Sequence, residues 1–269
     1  MGQTTKGETT PALTHSSVRV TNTHMMRVMD LSRRFTRAGG GAVQAVENVT
    51  FDVPRGAFVS IIGPSGCGKS TLLRLIAGLD APSSGSVAIE GAPEKRRFGF
   101  VFQDPVLLPW LTALENVRFP LDMAGLDRVA GNARARELLD LVGLGGFEGS
   151  LPHQLSGGMR QRTAIARALS YDPPILLMDE PFGALDLLTR DRLNEELLAI
   201  WERTGKTILF VTHSVEEAAY LSDTVLVMAS APGRIREIRP IDLPRPRGEA
   251  TRLAPAFHAL MAEFRRGLR

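Results

Sequence analysis

The chain predicts an α/β fold with a parallel central sheet, and three observations carry that reading. Three short runs of consecutive apolar residues, Phe58–Ile62, Ile175–Met178 and Thr207–Val211, read as strands buried on both faces. Segments with helical apolar spacing, including Met159–Leu169 and Asp191–Arg203, lie between or after them. A Gly-rich stretch at 63–71 joins the first run to the helix-like Leu72–Ala77. Strands that alternate with helices in this way build a layered α/β core.

The other elements follow in chain order. Residues 27–62 alternate short β-type runs, such as Val49–Val53, with turns at Gly39–Gly41 and Gly56. Asp80–Gly85 reads as a turn before another short strand, Ser86–Glu90. Residues 112–170 change character and read as helices, for example Ala133–Val142, which makes them an inserted helical block. No internal repeat is visible.

A chain of 269 residues, 43% hydrophobic and 23% charged, can bury a full core as one large domain or two small ones. No apolar stretch approaches the roughly 18 residues needed to cross a membrane. Residues 1–24 hold Thr, Ser and His without an apolar run, so they read as a disordered tail and not a secretory signal. The single cysteine, Cys67, excludes an intrachain disulfide and fits a reducing compartment. The net charge is +3, and nine arginines crowd into residues 232–269. Such a tail can attract nucleic acid or an anionic membrane surface. It is broken by Pro240, Pro244, Pro246 and Pro255 and lacks a stacking series of aromatics, so a solvated peripheral element is expected.

The run Gly63-Pro64-Ser65-Gly66-Cys67-Gly68-Lys69-Ser70-Thr71 fits G-x-x-x-x-G-K-[ST], a phosphate-binding loop. Glycines let successive N–H groups turn inward around phosphate oxygens, and the following helix N-terminus adds positive potential. Lys69 can reach the β- and γ-phosphates, and the Ser70 hydroxyl can ligate Mg²⁺. The chain has only four lysines, Lys6, Lys69, Lys95 and Lys206, among 32 basic Lys and Arg residues. Keeping lysine here suits a pocket that wants a compact ammonium and not a planar guanidinium.

A second constellation ends the strand Ile175–Met178 in Asp179-Glu180. At a strand's C-terminal edge these carboxylates would face the phosphate loop. Asp179 can hold Mg²⁺, and Glu180 can polarise the water that attacks a γ-phosphate. Between the two motifs, Leu155-Ser156-Gly157-Gly158-Met159-Arg160-Gln161 is a Ser-Gly-Gly turn opening a helix. Alone it could be a plain helix cap, yet it also offers a hydroxyl and free N–H groups to an anion.

With these motifs in this order, the chain resembles an ATP-binding cassette ATPase from about Arg27 to Pro246. The resemblance implies a P-loop NTPase (RecA-like) core sheet, an N-terminal antiparallel β subdomain and an inserted α-helical subdomain at about 104–160. It places the ATP-binding domain at 25–246, followed by a basic helical extension at 247–269. Gly63–Thr71 matches the Walker A loop, and Ile175–Glu180 matches Walker B. Gln103 matches the Q-loop glutamine, expected on Mg²⁺ and the attacking water. Leu155–Gln161 matches the LSGGQ-type signature, with Met159 where glutamine is commonest. Ala184-Leu185-Asp186 matches the D-loop, and His213 the switch histidine that reads the γ-phosphate. Phe35 matches the adenine-stacking aromatic, where tyrosine is frequent.

In that family the site is shared: one subunit supplies Lys69, Asp179, Glu180, Gln103 and His213, and the other supplies Ser156, Gly157 and Gly158. The implied ligands are ATP and Mg²⁺. The implied partners are a second copy, transmembrane permease subunits, and a periplasmic or lipid-anchored solute-binding protein, at the cytoplasmic face of a bacterial inner membrane. Phe102–Thr112, Pro232–Ile235 and Leu243–Arg247 look like the nitrate/sulfonate/taurine group of importers. The segment Leu107–Leu111 is expected to meet a permease helix. The alternatives are a non-transport cassette ATPase acting on nucleic acid or ribosomes, and a P-loop kinase or switch. The first usually carries coiled-coil insertions or a second cassette, which this chain lacks, and no nucleic-acid partner is expected. The second would not need Leu155–Gln161 or His213.

Overall fold

A computed structural model describes residues 24–36, 40–91, 97–230 and 232–268. The expected N-terminal tail, apart from His24, and Gly39 lie outside the described residues. Two sheets form the frame. The first is antiparallel, in the order β2 (Ala42–Pro54), β1 (His24–Thr36), β4 (Ser84–Ile89). The second runs β5 (Phe98–Val101), β6 (Ile175–Asp179), β7 (Thr207–Val211), β3 (Phe58–Ile62), β8 (Thr224–Ala229), β9 (Arg234–Pro240). Its first five strands are parallel, and β9 closes the edge antiparallel to β8.

The apolar runs are continuous because both faces of the second sheet are covered. Phe58, Ile62, Leu176, Met178, Ile208 and Phe210 point to one face. That face packs on α2 (Ala113–Met123), α3 (Arg128–Leu141), α4 (Gly157–Leu169), α5 (Leu187–Thr204) and α6 (Val215–Leu221). The alternate residues Val59, Ile61, Ile175, Leu177, Leu209 and Val211 pack on α1 (Lys69–Ile76) and the antiparallel sheet. Each such buried aliphatic or aromatic side chain contributes about 1.5–3 kcal/mol.

Two expectations change. The short β-type runs of residues 27–62 are long: β1 and β2 are 13-residue strands that pair along their length. Register shifts between them keep Val28, Leu31, Val46, Val49, Phe51 and Val53 inward. The C-terminal segment is peripheral but only partly solvated. α7 (Glu249–Leu253) and α8 (Pro255–Gly267) follow the last strand, and Phe257, Met261 and Phe264 of α8 are buried in the main core beside Tyr220. Their i, i+4, i+7 spacing gives α8 one apolar stripe, which outweighs its exposed arginines. Arg247 is itself buried and donates to the carbonyls of Ala219, Tyr220, Ser222 and Leu243. Burial pushes its guanidinium down to about 10. No helix among the described residues is long and apolar enough to cross a membrane.

Candidate functional site

The C-terminal ends of β3, β6 and β7 lie side by side, because β7 pairs with both of the others. Loops leaving those ends must therefore meet, which is where ligands sit in open α/β sheets. After β3 the chain turns through Gly63–Gly68 into α1, whose first turn has no side-chain cap. Its N–H groups stay free for an anion. Gly68 adopts φ 97°, and a Cβ there would lie 2.7 Å from the Ala45 carbonyl oxygen of β2, so only glycine fits. A cavity of about 250 Å³ opens above the loop, lined by Ser65, Gly66, Gly68, Lys69, Ser70, Thr71 and Glu180.

Lys69 is buried, with its ammonium folded onto the loop, donating to Gly63 O at 3.0 Å and Pro64 O at 3.2 Å. The Ser70 hydroxyl donates to Asp179 Oδ1 at 2.9 Å across 109 residues of chain. Burial raises the Asp179 carboxyl above its ordinary value, while the Ser70 bond pulls the other way. Next to it, Glu180 takes the sterically costly φ of 45° while its N–H donates to Val211 O at 2.9 Å. That kink brings its carboxylate to 3.9 Å from Lys69 Nζ and 3.3 Å from His213 Nδ1. Gln103 joins them: a Cβ built on Gly183 would lie 3.6 Å from Gln103 Nε2 and 3.7 Å from His213 Cε1.

Ser70 and Asp179 suit Mg²⁺, since a hydroxyl and a partly desolvated carboxylate are hard oxygen donors that a cation would relieve. Among the described residues no group of three His, Cys, Asp or Glu side chains could hold a metal alone. Phosphate oxygens would have to complete the shell.

The other expected residues do not line this cavity. Cys67 contributes backbone to the loop, but its thiol is buried beneath, and burial pushes its pKa up, which disfavours a reactive thiolate. Ser156 accepts from Met159 N at 3.2 Å as the cap of α4. A Cβ on Gly157 or Gly158 would meet Leu185 at 3.1 Å or Thr189 at 3.3 Å, so this turn packs on the start of α5. Asp186 caps α5, accepting from Thr189 N at 3.0 Å, and that hydrogen bonding holds its carboxyl below the ordinary value. Phe35 is exposed on β1, with the Arg33 guanidinium 4.5 Å over its ring.

Sequence reasoning missed the brace below the phosphate loop. Gly233 donates to Ala45 O at 3.1 Å, and a Cβ there would lie 2.1 Å from Cys67 O. The signal in the sequence is the glycine of Pro232-Gly233-Arg234, a residue type that allows such a close backbone approach.

A strand, a glycine-rich loop and a helix N-terminus facing a carboxylate pair define a P-loop nucleotide-binding protein. The family described as ABC transporter matches residues 46–183, which bracket the loop and the carboxylates. An uncharacterized ABC transporter ATP-binding protein of Methanocaldococcus jannaschii is 50% identical over 225 residues, 82% of this chain and 84% of that protein. The taurine import ATP-binding protein TauB of Rhizobium johnstonii is 46% identical over 250 residues, 90% of this chain and 95% of that protein. Among solved structures, the ATP-binding cassette MJ0796, a dimer in a post-hydrolysis state bound to ADP and Pi, matches with TM-score 0.72 and 34% identity. It covers 81% of this chain and 100% of that one. The chain therefore belongs to the ABC transporter family, as an ATP-binding and ATP-hydrolysing member with an α/β P-loop fold.

Proposed function

We propose that the chain is the ATPase subunit of an importer for a small anionic solute of the sulfonate class, working as a two-copy sandwich against permease subunits. One observation carries the catalytic reading: Lys69, Ser70, Asp179, Glu180 and His213 converge at one end of the sheet. The name of the taurine import relative supports the solute class, and the dimeric cassette supports the pairing.

On this reading the backbone of Gly63–Thr71 and Lys69 hold the phosphates, and Phe35 offers a ring face to adenine. Ser70, Asp179 and Gln103 would hold Mg²⁺, which supplies charge neutralisation on the phosphate oxygens when bound. Glu180 sits where it can accept a proton from a water aimed at the γ-phosphate. His213, within 3.3 Å of that carboxylate, fixes its orientation and can donate to the γ-phosphate. Ser156, Gly157 and Gly158 of one copy cover the nucleotide of the other, with Asp186 at the contact between copies. Closing then excludes water and completes the charge stabilisation.

The chain would sit peripherally at the cytoplasmic face of the membrane, with a separate solute-binding protein delivering the cargo outside. A groove of about 350 Å³ bordered by Phe100, Phe102, Val106, Leu108, Phe119 and Pro120 offers the permease an apolar seat. Trp110 stands beside this segment in sequence, 71% exposed. The test is co-purification from membranes followed by reconstitution into vesicles. ATP-driven uptake of labelled taurine is expected. Hydrolysis without uptake of any sulfonate would overturn the solute class, and absence of a co-purifying permease would overturn the transport role.

A further inference from the structure

We propose that Glu217 is a positioning residue that holds the His213 loop and the Ala184–Asp186 turn in fixed register through Thr212 and Arg190. The proposal rests on the site reading above. Glu217 lies in the first turn of α6 and is 5% exposed. Its Oε2 accepts from the Thr212 hydroxyl, whose oxygen in turn accepts from Ser214 N at 2.9 Å. Both neighbours of His213 are thereby tied to one carboxylate. Its Oε1 lies 3.6 Å from Arg190 Nε on α5. Arg190 donates onward to Leu185 O at 3.0 Å, in the turn that ends at the Asp186 cap. One relay therefore links the loop carrying His213 to the turn that packs on Gly157 of the signature.

The fold alone does not ask for this carboxylate. Burial raises the Glu217 carboxyl above its ordinary value, so its charged form is held at a cost. An apolar pair of similar volume would relieve that cost, against the loss of one partner each for the Thr212 hydroxyl and the Leu185 carbonyl. The same two helices are stitched independently from outside, where Arg252 bridges Asp191 and Glu216, each at 2.9 Å. That outer bridge holds α5 to α6 without touching the His213 loop, so it separates positioning from packing.

Glu217→Leu alone would strand the guanidinium, so the test removes both charges together, as Arg190→Met with Glu217→Leu in the full chain. ATP affinity should stay within about two-fold while kcat falls by roughly 10²-fold, the scale of a misplaced catalytic group. The melting temperature should fall by only a few degrees, the cost of the two hydrogen bonds lost with the charges. Arg252→Ala should leave kcat within about two-fold. A double variant that keeps kcat would overturn the proposal. So would a KM for ATP that rises in step with the loss, or an Arg252→Ala variant as slow as the double one. Glu180→Gln serves as the reference, since full-rate hydrolysis there would remove the underlying site reading instead.

Discussion

The phosphate loop and the signature turn are built from the same materials, glycines and a hydroxyl at a helix N-terminus, yet they end in opposite states. Around Lys69 every expected partner is supplied by the same chain: Ser70 on Asp179, and Glu180 between Lys69 and His213. Around Ser156 nothing comes from the phosphate loop. The hydroxyl is spent on its own helix, and the glycines rest on Leu185 and Thr189. The difference is what a shared site would require: on the proposed reading a single copy holds nucleotide, and its signature serves the nucleotide of its neighbour. Binding would then belong to the chain and turnover to the pair.

The largest expected effect breaks turnover and spares binding. Glu180→Gln should keep ATP affinity and lower hydrolysis by about 10²–10⁴-fold, the usual loss for a general base. Single-turnover hydrolysis with parallel nucleotide binding measures both. A wild-type rate in a variant that still dimerises on ATP would show that Glu180 is not the base. Lys69→Ala should do the converse and weaken binding itself, and unchanged affinity would remove the phosphate-loop assignment.

Ser156→Arg aims at the other side of the comparison. It should abolish hydrolysis while the same chain binds ATP normally, if the blocked contact belongs to the neighbour's site as proposed. The direct readout is a disulfide between cysteines placed at Ser65 and Gly158, on a Cys67→Ser background with Glu180→Gln to stop turnover. ATP-dependent crosslinking between copies is expected, and its absence would count against a shared site.

Trp110→Asp sharpens the comparison on a third surface. With 71% of its surface exposed, Trp110 is no core residue, so the isolated variant should melt as the parent does. If the side chain anchors a permease contact of about 2 kcal/mol, association should weaken roughly 30-fold. A large fall in melting temperature, or unaltered co-purification, would remove Trp110 from that surface.

What was legible in the sequence follows from how tightly physics restricts each position. The Lys69 loop and the Asp179-Glu180 strand end could be read because phosphate chemistry admits few residue types there. The β3, β6 and β7 runs could be read because strands covered on both faces show no polar break. The C-terminal segment was misread because its arginines dominate its composition. Phe257, Met261 and Phe264 had carried the helical stripe all along, but Arg247 gave no sign of being buried under four carbonyls. The Glu217–Arg190 link was invisible for a different reason. Each residue alone looks like an ordinary charged helix position, and only the packing of α5 on α6 brings them together.

The smallest expected effect lies in the helical block, on the partner-facing side of the comparison. Thr112 and Glu115 form a capping box at the start of α2, the helix that carries Phe119 and Pro120 to the apolar groove. Hydrogen bonds from Thr112 hold the Glu115 carboxyl below its ordinary value. A carboxyl depressed in the folded state stabilises above its unfolded pKa, about 4.3 for glutamate, and loses that contribution as pH falls through the folded value. Glu115→Gln keeps a capping-box side chain and removes only its charge, so it should cost about 0.3–1 kcal/mol at pH 7, the scale of a carboxylate at a helix N-terminus. The gap between parent and variant should stay constant down to about pH 5 and close as acid protonates the parent's carboxyl. Paired melting curves across that range check it. A gap that persists unchanged into strong acid would mean the substitution acts through packing and not through the ionised cap.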